Sequence, residues 1–131
     1  MPHREDVGRK RMGVRFHLRV QDVTDDWVDS GAGGPLAREY DRLDKLVRKK
    51  GARSLMEFYV PAPEEMLAHD KEEWFNPMEG IGIIEAMMRV AEEQNHEFED
   101  HGRLMEDLRD FRIVLDRAVS LGKRWNLGMY T

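Results

Sequence analysis

Two clusters of side chains in this sequence carry groups able to do chemistry. His96, Glu99, Asp100 and His101 supply imidazole and carboxylate close together, the donor types that hold divalent cations. On a continuous helix His96 and Asp100 stand at i and i+4 and share a face. His101 lies five positions after His96, about 140° around such a helix, so the two imidazoles cannot meet one ion there. The spacing is not that of a zinc-protease helix with two histidines four apart. A bland reading covers the same residues: an acidic helix start favoured by the helix dipole.

The second cluster is Asp70, Glu72, Glu73 and Glu79 around Trp74 and Phe75. A carboxylate beside an aromatic ring can have its pKa raised for acid–base work. No nucleophile and no oxyanion-binding pattern accompanies these groups, so catalysis is not the leading expectation. Trp74 and Phe75 read as a hydrophobic plug ahead of a capped helix. Exposed among carboxylates, they would instead form an aromatic anchor for a basic partner.

A third feature, Gly31-Ala32-Gly33-Gly34 before a helix, has the glycine content of a phosphate-cradling turn. No lysine follows at nucleotide-loop spacing, and Pro35 lacks an N–H donor, so it reads as a turn. The nine methionines, including Met78, Met87, Met88 and Met105, are expected mainly as core filling.

The frame that must position these groups is small. The chain has 131 residues, 40% apolar and 36% charged, enough for one domain with a modest core. It has no cysteine, which excludes disulfides, thiolate metal sites and a cysteine nucleophile. No uncharged apolar run approaches the roughly 20 residues that cross a bilayer, and the first residues lack a secretory pattern. A cytoplasmic location is the expectation. The formal net charge of −5 conceals an asymmetry: 61–107 hold 14 acidic and 3 basic residues, while the flanking stretches are each net basic. Such a block repels nucleic acid and anionic membranes and favours basic partners, although solvated helix faces would also explain it.

Residues 1–12 read as a flexible basic lead-in, and 13–131 as a single domain. Val14, Phe16, Leu18 and Val20 alternate with polar residues, which predicts a strand with His17 turned from the core. A helix is expected over about Pro35 to Lys50, with Leu36, Tyr40, Leu43 and Val47 as its stripe and Gly51 at its exit. Residues 54–60 (SLMEFYV) are expected as a central strand, and 63–67 as a short helical turn. Asn76 caps a second helix starting at Pro77, with Glu79 placed to close a capping box. A third helix runs from about Asp100 to Leu121 with Gly122 as its C-cap. Trp125, Leu127 and Met129 alternate in a closing strand. Arg15-Phe16-His17-Leu18 and Arg124-Trp125-Asn126-Leu127 share a pattern, as two strands facing the same helices would.

These elements predict an α+β fold, a three-stranded sheet with about three main helices in the order β-α-β-(α)-α-α-β. The segments Met12 to Leu18, Glu73 to Pro77 with Glu79-Gly80, and Gly122 to Leu127 resemble a group of small, uncharacterised bacterial cytoplasmic proteins. That resemblance implies one compact domain and carries no activity. The leading functional expectation is a non-enzymatic interaction protein, whose Asp70, Glu72, Glu73, Trp74 and Phe75 engage a basic protein; an immunity or antitoxin-like inhibitor is one form. The alternative is a small metal-dependent or acid–base enzyme using Asp70, Glu73, His96 and His101, with Asp100 as a further ligand. No cofactor is implied, and self-association is left open.

Overall fold

A computed structural model describes residues 15–28, 34–68 and 71–130. The basic lead-in, Gly31 to Gly33 and Asp70 lie outside the described residues. The chain order is strand β1 (Arg15–Val20), helices α1 (Gly34–Lys49), α2 (Pro77–Glu93) and α3 (His101–Leu121), and strand β2 (Trp125–Tyr130). Short 3-10 turns at Leu55–Phe58, Pro63–Glu65 and Asn95–Glu97 join them.

The apolar periodicities build the core as expected. On α1, Leu36, Tyr40, Leu43 and Val47 are buried, and Gly51 follows at φ 88°, where only glycine is unstrained. Ile81, Ile84 and Ala91 of α2 and Leu104, Leu108, Phe111, Leu115 and Ala118 of α3 are buried with them. Gly122 ends α3 in the left-handed conformation at φ 68°. The two related tetrapeptides are partner strands: β1 and β2 pair antiparallel with Leu18 opposite Leu127 and Val20 opposite Trp125. Phe16, Leu18, Trp125 and Leu127 all point into the one core. The start of α1 is completed from far along the chain, because the buried Asp107 carboxylate accepts the Leu36 N–H at 2.9 Å.

The sheet has two strands rather than three, so the order β-α-β-(α)-α-α-β is corrected to β-α-α-α-β. Residues 54–60 are not a strand. Ser54 and Glu57 close a capping box that starts a 3-10 turn at Leu55. The Glu57 carboxylate also binds Arg53 at 2.9 Å, which holds it below the usual carboxylate range. Tyr40 Oη accepts the Met56 N–H at 3.2 Å. Burial pushes the Tyr40 phenol up to about 12. These contacts consume the backbone and side-chain groups that an extended strand would have left free. The Ser-x-x-Glu signature of that box stands in the sequence at 54–57, and it outweighs the alternation of Met56, Phe58 and Val60.

What remains of the expected third strand is local. Tyr59 makes a single parallel bridge to Leu127 and Phe75 a single antiparallel bridge to Trp125. The Val60 N–H donates to the Leu127 carbonyl at 2.9 Å, and Phe75 exchanges both main-chain bonds with Trp125 at 2.8 and 3.0 Å. The far edge of β2 is therefore closed by two non-strand segments.

Candidate interaction surface

Phe75 and Trp74 are neighbours with opposite fates, because extended backbone sends successive side chains to opposite faces. Phe75 packs inward, edge-on to Phe58 with centroids 4.9 Å apart, and Phe58 stacks on Trp125 at 5.1 Å. Trp74 is half-buried on the outer face. Its indole N–H donates to Glu72 Oε1 at 3.1 Å, and its carbonyl accepts from Arg124 at 3.1 Å. The expectation of a plug thus holds for Phe75, while Trp74 keeps one flank outside the core.

The next residues fix this segment. Asn76 caps α2, its side-chain oxygen accepting the Met78 N–H at 2.9 Å. Glu79 does not close a capping box; Arg53 takes its carboxylate at 3.3 Å. The Trp125 indole donates to the Asn76 carbonyl at 3.1 Å. Gly80 lets α2 approach that indole, since a Cβ there would come within 2.6 Å of the ring. At Gly82 nothing from outside the helix's own backbone lies within 4 Å of the equivalent point.

Asn126, which the sequence reading passed over as an outward strand residue, is fully buried. Its amide donates to the Glu73 carbonyl at 2.9 Å, and its oxygen accepts from Arg19 at 3.2 Å. The same Arg19 nitrogen reaches the Val60 carbonyl at 2.9 Å. Asn126 and Arg19 together strap residues 60 and 73 across the outer face of the sheet. A polar residue between Trp125 and Leu127 is the only trace of this in the sequence, and the alternation reads it as solvent-facing.

Two concavities flank Trp74. One of about 420 Å³ includes His17, Arg19, Asp22, Thr24 and Trp74 in its walls. A smaller one of about 70 Å³ is lined by Arg19, Pro61, Pro63, Glu72, Trp74 and Asn126. Asp22 sits at φ 63°, a left-handed conformation that an aspartate tolerates in a turn. His17 and Arg19 lie together over Gly128, where an added Cβ would collide with the imidazole and come within 2.6 Å of Arg19 Nη2.

The acidic block divides into two kinds of carboxylate. On α2 and its flank Glu79, Glu85 and Glu93 pair with Arg53, Arg112 and Lys50. Among the described residues, Glu64, Glu65, Glu72 and Glu73 are exposed and form no ion pair. These four lie on the loop that carries Trp74, whereas Glu92, Glu97 and Glu106, likewise exposed and without an ion pair among the described residues, are dispersed over α2, the turn after it and α3.

Of the enzyme alternative's residues, Asp70 lies outside the described ones, and Glu73 is not brought together with His96. Glu73 precedes α2, while His96 follows it; a helix of 17 residues separates them by about 25 Å. His96 and Asp100 do not share a helix face either. His96 lies in the Asn95–Glu97 turn and Asp100 at the N-cap position of α3, its side chain making no capping bond, with Phe98 buried between them. Burying Phe98 ends the preceding turn and breaks the continuous helix that the i, i+4 argument assumed. Asp100 pairs with Arg103 at 3.8 Å. Among the described residues no three His, Asp or Glu side chains are grouped as metal ligands, and no helix is long and apolar enough to cross a membrane.

No protein-family model, no curated protein and no solved structure matches the chain. The reading of the surface therefore rests on its geometry.

Proposed function

We propose that this protein is a non-enzymatic interaction module that engages a basic protein through the 61–74 loop, with Trp74 as the anchor. The observation that carries this is the division of the acidic block. The α2 carboxylates Glu79, Glu85 and Glu93 are taken by intramolecular arginine and lysine, whereas Glu64, Glu65, Glu72 and Glu73 are exposed, form no ion pair and stand together on the loop that carries a half-buried indole. An aromatic anchor supplies area at low entropic cost, and a rim of one charge sign speeds encounter with a partner of the other. The rigid seat beneath, made by Asn126, Trp125 and Arg124, keeps the anchor pre-positioned. Inhibition of a basic toxin is one concrete form of this activity.

The test uses immobilised protein to capture partners at low and high salt. Wild type is expected to retain a basic protein, with Glu64, Glu65, Glu72 and Glu73 replaced together by Lys abolishing retention. Trp74→Ala should weaken it at least tenfold while the circular dichroism is unchanged. Retention that survives the fourfold charge reversal overturns the assignment.

A further inference from the structure

We draw no further inference here: the strongest candidate, the groove of about 250 Å³ between the start of α2 and the end of α3, lined by Pro77, Met78, Val119 and Lys123, is an exposed apolar surface, and nothing in the structure shows what covers it.

Discussion

The two edges of the small sheet are built on opposite plans. Beyond β2, Tyr59, Val60 and Phe75 close the main-chain bonds, and Trp125, Phe58 and Asn126 are fully buried behind them. Beyond β1, no described residue bonds the main-chain groups of Phe16 and Leu18, while their side chains remain in the core. The closed edge has exchanged binding capacity for stability: its polar groups are satisfied internally, so their removal costs free energy. On the β1 side, what the described residues contribute is the burial of Phe16 and Leu18.

That contrast is tested first where it is greatest. Gly80→Val drives side-chain atoms into the Trp125 indole and Leu115, since even a Cβ would lie 2.6 and 3.1 Å from them. The ring is buried and cannot swing aside, so a loss of about 3 kcal/mol in chemical denaturation is expected. Gly82→Ala, with open space at the same helix depth, should instead stabilise by about 0.5–1 kcal/mol through helix propensity. Equal effects at the two glycines would mean that the closed edge is not tightly packed.

Asn126→Ala should cost about 2 kcal/mol, because the Glu73 carbonyl and the Arg19 guanidinium both lose a buried partner. It should also loosen the Trp74 segment, read as faster exchange of the Phe75 amide. A loss below about 0.5 kcal/mol would show that the strap is idle.

The third prediction concerns the side of the core beneath β1, where Tyr40 packs edge-on to Phe16 at 5.1 Å. Its folded-state pKa of about 12 lies above the ordinary value of 10.0. The protonated phenol is thus favoured in the folded state. Its stabilising contribution is intact below pH 10 and is lost as pH rises toward 12, where the unfolded chain ionises first. Wild type should lose about 1 kcal/mol more than Tyr40→Phe between pH 8 and pH 11. Parallel alkaline profiles for the two proteins would contradict a desolvated Tyr40.

Much of the fold was legible from local patterns. The stripes of the three helices, the caps at Asn76, Gly51 and Gly122, and the strands at both ends follow from periodicity and backbone preference, which neighbouring residues set among themselves. Residues 54–60 misled because two local signals conflict there. Alternation suggests a strand, but the Ser54–Glu57 box offers hydrogen bonds at once, whereas a strand must wait for a distant partner. Trp74 stood out as a candidate anchor by its type and its acidic neighbours. Arg19 and Asn126, which hold residues 60 and 73 beside it, did not, because neither residue's sequence neighbours reveal that these segments cross the sheet.

The sequence by itself thus determined where helices turn, where they stop and which side chains enter the core, since these depend on interactions within a few residues. It also determined that negative charge is concentrated in 61–107. Only the tertiary structure decided which of those carboxylates are spent on arginine and lysine and which remain free, and which edge of the sheet is closed. Both depend on contacts between residues tens of positions apart, such as Lys50 with Glu93 and Val60 with Leu127, whose pairing is fixed by the packing of the whole chain.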